Sequence, residues 1–168
     1  MGIYISLGSN LGDDRLNSIA NALNEIKDNF SLIAVSNLYE TIPIDMTGNN
    51  FYNCVAKIKT NLTSAELLLK LKDIEKKLGR TLEQGHNLPR IIDLDILLFD
   101  EEIVNSPTLT IPHNKLLERP FFIKCLLEID DMIKDPVSGK KYNDIFHSLY
   151  LDKECKKIND FYLDNLFE

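Results

Sequence analysis

Ile91-Ile92-Asp93-Leu94-Asp95-Ile96-Leu97-Leu98-Phe99 is a nine-residue run in which aliphatic residues surround two carboxylates. Its aliphatic density and β-branched residues predict a strand. Reading back from it, a polar loop over residues 80–90 precedes the strand and Gly79 stands as the C′ residue of a helix. That helix carries an apolar stripe, Leu67, Leu71, Ile74 and Leu78, and begins with a Thr63-to-Glu66 capping box. Upstream lie two β-rich runs, 31–39 and 51–59, joined by a loop holding Pro43, Gly48, Asn49 and Asn50. An amphipathic helix over 13–28 and a first strand, Ile3 to Leu7, complete the series. The order β-α-β-β-α-β predicts an α+β, ferredoxin-like core, an antiparallel sheet with helices on one face.

Reading forward, Pro120 suits the first turn of a short helix over 120–128, and Asp135-Pro136-Val137-Ser138-Gly139 reads as a turn. Segments 143–149 and 152–167 carry helical spacing, the latter with Ile158, Phe161, Tyr162 and Leu166 near one face. One domain over residues 1–168 is expected, with its core in 2–128 and an extension in 129–168.

Composition narrows the function classes. The 168 residues are 44% hydrophobic and 27% charged, ordinary for a soluble globular chain. Nineteen basic against 26 acidic side chains leave a net charge of −7, the wrong sign for nonspecific nucleic-acid binding. No apolar run is long enough to span a bilayer and no signal peptide is evident, so a cytoplasmic location is expected. Cys54, Cys125 and Cys155 form no C-x-x-C pair and read as reduced thiols. Of the 19 basic residues only four are Arg: Arg15, Arg80, Arg90 and Arg119.

Candidate chemistry concentrates in three places. Asp93 and Asp95 are two apart in a strand, so their carboxylates share a face about 7 Å from each other, while Ile92, Leu94, Ile96 and Leu98 are expected on the other. Like charges in so apolar a strand call for a cation, and Mg²⁺ prefers oxygen donors; a solvent-facing strand is the plainer alternative. Arg80 and Arg90 flank the pair, either as salt-bridge partners or as phosphate ligands beneath a loop long enough to act as a lid. Further on, Thr110-Ile111-Pro112-His113 and Arg119 offer a histidine, either buried or a phosphate donor, and another guanidinium. Phe51 and Asn53 share a face of the 51–59 strand, an aromatic plate beside an amide that both donates and accepts. The Gly8-Ser9-Asn10-Leu11-Gly12 turn matches neither the P-loop nor the dinucleotide fingerprint.

Together these segments resemble the 6-hydroxymethyl-7,8-dihydropterin pyrophosphokinase family of folate biosynthesis. The resemblance rests on Tyr4 to Gly12, Phe51 to Val55, Gly79-Arg80 through Pro89-Arg90-Ile91-Ile92-Asp93-Leu94-Asp95-Ile96, Ile111-Pro112-His113 and Arg119-Pro120-Phe121. It implies transfer of the pyrophosphoryl group of ATP to a hydroxymethyl oxygen of the dihydropterin, with Asp93 and Asp95 as ligands of two Mg²⁺ ions. It further implies that Arg80 and Arg90 stabilise phosphate oxygens and that His113 and Arg119 hold ATP, with Glu75, Ile96 and Thr110 near the nucleoside. The pterin would lie between Phe51 and Phe121, read by Asn53 and by the backbone of Gly8, Thr41, Ile42 and Ile44.

The resemblance implies no nucleic acid or membrane as partner; a monomer is expected, and association with neighbouring folate-pathway enzymes is implied because family members occur fused to them. Three positions depart from the family pattern: Leu82 and Asn87 in the loop, and Asn114 after the histidine. Arg15 has no role in this reading. The competing class is a non-catalytic ferredoxin-like module for a small molecule or RNA, the RNA version opposed by the charge and by the lack of an RNP1-like segment.

Overall fold

The structure is a computed structural model that describes residues 2–43, 49–80, 88–150 and 156–158. Strand β1 (Ile3–Ser9) occupies the centre of an antiparallel sheet, hydrogen-bonded to β4 (Phe51–Lys59) on one side and to β5 (Asp93–Phe99) on the other. The far edge of β4 is lined by β2 (Ser31–Val35) and β3 (Tyr39–Thr41) in succession. The sequence suggests one strand over 31–39, but the structure breaks it. Ser36 exchanges both hydrogen bonds with Val55, its amide donating to the carbonyl and its Oγ accepting from the amide, each at 2.9 Å. The serine hydroxyl stands in for a ladder carbonyl, and the pairing shifts register between β2 and β3.

Helices α1 (Arg15–Asn29) and α2 (Ser64–Lys77) cover one face of the sheet, as expected. They bury Ile19, Ala22, Leu23 and Ile26 from α1, and Leu67, Leu71 and Ile74 from α2, against Ile3, Ile5, Leu7, Leu94 and Ile96. Each such side chain contributes roughly 1.5–3 kcal/mol when fully buried. The capping box forms: Thr63 Oγ1 accepts from the Glu66 amide and Glu66 accepts from the Thr63 amide. Gly79 follows with φ +95°, the left-handed conformation that a helix stop requires.

The opposite face carries a second core, built by α3 (Pro120–Ile129) and α4 (Tyr142–Tyr150) on Tyr4, Tyr39, Val55, Leu97 and Leu98. Leu98 therefore joins the carboxylate face rather than the helix-covered face that strand alternation assigns to it. A register shift between Tyr4 and Ile5 pairs Ile5 with Ile96 and Tyr4 with Leu98, leaving Leu97 as the extra residue.

A short hairpin, β6 (Val104–Asn105) and β7 (Thr110–Ile111), leads into His113. The 135–139 turn closes as expected, with the Gly139 amide donating to the Asp135 carbonyl. The helical reading of 152–167 is corrected where the structure describes it: β8 (Lys156–Lys157) pairs with β3, and Ile158 packs on the first core. The exposed edge of β3 offers unpaired amides and carbonyls, which outweigh the modest helix preference of that segment. Phe161, Tyr162 and Leu166 lie outside the described residues, as do Cys155, Ile44, Leu82 and Asn87. Among the described residues no helix is long and apolar enough to cross a membrane.

Candidate active site

The sheet order places β5 at an edge with β1 and then β4 beside it, so residues from three strands fall into rows on the face away from α1 and α2. Asp93 lies opposite Gly8, which lies opposite Asn53, which lies opposite Tyr39. Asp95 lies opposite Ser6 in the adjacent row of that face. Gly8 has no side chain, so the row dips between Asp93 and Asn53, two strand spacings or roughly 10 Å apart. A Cβ on Gly8 would stand 3.0 Å from Asn53 Oδ1 and 3.6 Å from Phe51 Cδ1. A glycine here keeps the trough open and lets both side chains lie close over the backbone.

Arginines bracket Asp93. Arg80 Nη1 donates to Asp93 Oδ1 at 2.7 Å, and Arg90 Nη1 to Asp93 Oδ2 at 2.7 Å. Both arginines therefore form salt bridges to Asp93. Burial pushes the Asp93 carboxyl up, but the two guanidinium groups more than offset it and hold it below the ordinary carboxylate range. Asp95 has the reverse balance: burial and then the charge of Asp93 raise its carboxyl against the opposing pull of Lys72, His113 and Arg80, and Lys72 Nζ and His113 Nε2 each stand 4.0 Å from it. Asp93 is thus gripped at 2.7 Å by two guanidinium groups, while the cation nearest Asp95 stands 4.0 Å away, and a further cation between the two carboxyls would relieve their repulsion.

Glu75 and Lys72, on consecutive turns of α2, tie the helix to this edge. Glu75 Oε1 accepts from the Leu94 amide at 2.7 Å and from Lys72 Nζ at 2.9 Å, and forms an ion pair with Arg80 Nη1 at 2.6 Å. Burial raises the Glu75 carboxyl, opposed by Lys72 and the Leu94 amide. Only 3% of its side chain is exposed, so it organises cations from below the surface rather than offering itself to a ligand. Lys72 also reaches the Leu94 carbonyl at 3.3 Å. Sequence reasoning passed over Lys72; its (i, i+3) relation to Glu75 is the signal that could have found it.

His113 is anchored by its backbone, whose amide donates to the Leu97 carbonyl at 3.0 Å. Its Nδ1 accepts from the Lys115 amide at 3.1 Å, which places the ring proton of the neutral imidazole on Nε2, facing Asp95. Burial lowers the His113 pKa, with Asp95 opposing, and favours that neutral donor form. Phe122, which sequence reasoning did not single out, meets the His113 ring edge-on at 5.6 Å and lies 5.6 Å beneath the Arg119 guanidinium. Arg119 occupies the N-cap position of α3. Thr110 sits half-buried in β7, three residues before His113. Ile96 is 2% exposed and packs in the first core, its side chain turned by strand alternation to the face away from the carboxylates.

On the β4 side, Asn53 Nδ2 donates to Thr41 Oγ1 at 2.8 Å. Phe51 is half-buried and Ile42 is 79% exposed. Phe121 is 8% exposed at the start of α3, 4.3 Å from Phe122 between ring centres.

An arginine-flanked carboxylate pair, a guanidinium-and-imidazole cluster on Phe122 and a recessed amide-aromatic trough thus share one sheet face. The 7,8-dihydro-6-hydroxymethylpterin-pyrophosphokinase (HPPK) model matches residues 4–131, and the chain belongs to that family. A 2-amino-4-hydroxy-6-hydroxymethyldihydropteridine pyrophosphokinase of Aquifex aeolicus is 39% identical over 82% of this chain and 86% of its own length. A folic acid synthesis protein of Pneumocystis carinii is 38% identical over 97% of this chain, and a folate synthesis bifunctional protein of Arabidopsis thaliana 37% identical over 88%. This chain spans only 22% and 30% of those two longer proteins. A crystal structure of Plasmodium falciparum HPPK-DHPS superposes with a TM-score of 0.72 over 87% of this chain and 45% of that one, at 16% identity, which establishes the shared fold.

Proposed function

We propose that this chain transfers the pyrophosphoryl group of ATP to 6-hydroxymethyl-7,8-dihydropterin. The hydroxymethyl oxygen attacks the β-phosphorus, the bond from that phosphorus to the oxygen bridging it to the α-phosphorus breaks, and AMP leaves while the hydroxyl proton is lost to solvent. The observation that carries this reading is the row Asp93, Gly8, Asn53, in which a phosphate-side carboxylate and a heterocycle-side amide face the same trough across a residue with no side chain.

Asp93 and Asp95 would hold two Mg²⁺ ions. Their oxygens are the hard donors that this cation takes, and among the described residues no third His, Cys, Asp or Glu joins them in a cluster. Two protein carboxylates with phosphate oxygens and water completing the shell is an ordinary arrangement for Mg²⁺. Bound there, Mg²⁺ would supply positive charge to offset that of the phosphate oxygens. Arg80 and Arg90 then exchange Asp93 for phosphate oxygens, to which planar guanidinium forks are matched. The His113 Nε2–H and Arg119 complete the polyphosphate grip. Asn53, held by Thr41, reads the pterin edge, with Phe51 and Phe121 on either side of the ring.

The reading keeps the chain a cytoplasmic, single-domain monomer, with elution as one chain in size-exclusion chromatography as its check. The activity test is direct. Purified protein given ATP, Mg²⁺ and the hydroxymethyl dihydropterin is expected to release AMP and the dihydropterin diphosphate. No pterin-dependent AMP would overturn the proposal.

A further inference from the structure

Arg15 lies on the opposite side of the sheet from the carboxylates, yet it is fastened to the strand that carries Phe51 and Asn53. Its guanidinium carbon stands 4.2 Å over the Tyr52 ring, and Nη1 donates to the Asn50 carbonyl at 2.5 Å. Tyr52 alternates with Phe51 and Asn53, so its ring projects from the back of β4 directly behind those two. Two further bonds converge on the same corner: Asn49 Nδ2 donates to the Gly12 carbonyl and Asn50 Nδ2 to Glu40 Oε1, each at 3.2 Å. Glu40 in turn faces Tyr52 across the β3–β4 ladder, one residue before Thr41, the partner of Asn53.

Arg15 Nε is buried and, among the described residues, has no hydrogen-bond partner. Holding a guanidinium there carries a desolvation cost that a merely solvated surface arginine avoids, so its place is set by the ring and the carbonyl it grips. A cation stacked on an aromatic and a charge-assisted bond to a main-chain oxygen act together as a clamp on the first turn into β4.

We propose that Arg15 is a positioning residue for pterin recognition, setting the start of β4 so that Phe51 and Asn53 meet the flat substrate at the correct height above Gly8. The inference rests on the pyrophosphokinase reading. It acts through Asn50 and Tyr52 and touches no reacting atom, so its loss is read in pterin affinity and leaves the nucleotide side unmoved.

The experiment measures binding of 6-hydroxymethylpterin, in the presence of Mg²⁺ and α,β-methylene-ATP, and binding of that nucleotide alone, for the wild type, Arg15→Ala, Arg15→Lys and Tyr52→Leu. Arg15→Ala is expected to weaken the pterin about tenfold, some 1.4 kcal/mol, with nucleotide affinity within about twofold of wild type. Arg15→Lys keeps the charge but loses the planar fork, and Tyr52→Leu keeps the fork but loses the ring; each weakens the pterin by a smaller factor. Should Arg15→Ala fail to fold, those two variants carry the test. Unchanged pterin affinity in the folded variants, or equal losses for pterin and nucleotide, overturns the inference. A wild type that binds neither probe overturns the pyrophosphokinase reading and this inference with it.

Discussion

Glu75 Oε1 accepts the Leu94 amide hydrogen at 2.7 Å, so a carboxylate from α2 caps the edge strand at the residue between Asp93 and Asp95. An outward N–H on an edge strand is a pairing hazard, and a buried one without a partner is costly. Here one acidic side chain satisfies it and uses its remaining capacity to gather Lys72 and Arg80. Fold and site share that single group.

Glu75→Ala leaves the Leu94 amide and Lys72 short of an acceptor, while Arg80 keeps Asp93. The expected outcome is a loss of about 1–3 kcal/mol in chemical denaturation, together with weaker nucleotide binding as the cations lose their anchor. Wild-type stability in this variant would show that the amide bond is dispensable.

Asp95→Ala separates chemistry from folding. Asp95 is repelled by the charge of Asp93 and, among the described residues, its ion-pair contacts are those to Lys72 and His113 at 4.0 Å, so its removal relieves repulsion and breaks no short ion pair there. Turnover is expected to vanish, with the melting temperature within about 2 °C of wild type. Asp93→Ala, by contrast, takes the carboxylate partner of Arg90 and leaves Arg80 with Glu75, and is expected to lower both activity and stability. Comparable activity in Asp95→Ala and the wild type would remove this carboxylate from the mechanism.

Gly8→Ala fills the trough. Its Cβ would meet Asn53 Oδ1 at 3.0 Å, which the amide can relieve only by shifting from its Thr41 bond. Pterin KM is expected to rise about tenfold or more, equivalent to 1.4 kcal/mol per decade, while ATP KM holds. Steady-state kinetics with each substrate varied separately distinguishes this from a general folding defect, in which both constants move together.

Alkaline pH tests the second core. Tyr4 and Tyr142 are fully buried, and burial followed by the charges of Asp130 and Asp135 raises both phenols above the ordinary value of 10.0. A group whose folded pKa is raised supports the native state fully below its unfolded pKa and loses that support as pH climbs toward the folded value. Unfolding free energy is therefore expected to fall as pH passes about 10, in step with tyrosinate absorbance, and the fall is expected to be shallower in Tyr4→Phe. A pH-independent stability through that range would contradict the burial argument.

Much of this protein could be read from local chemistry. Alternation put Asp93 with Asp95, and Phe51 with Asn53, on common faces; the Thr63–Glu66 box and Gly79 marked both ends of α2. Such features depend on neighbours a few residues away, whose geometry the backbone period determines. Other readings failed where a remote partner decided the outcome. Leu98 changed face because Tyr4 sits across a bulge, and residues 156–157 became a strand because the β3 edge was open to them.

The sequence by itself determined the order of elements, the paired carboxylates and the sparse arginines. Only the tertiary structure decided which cation meets which anion. Charge count and spacing cannot tell that Asp93 takes two arginines while Asp95 takes none at short range, nor that Arg15 braces the back of β4, because those choices depend on which side chains three separate strands and a helix bring within a few ångströms of one another.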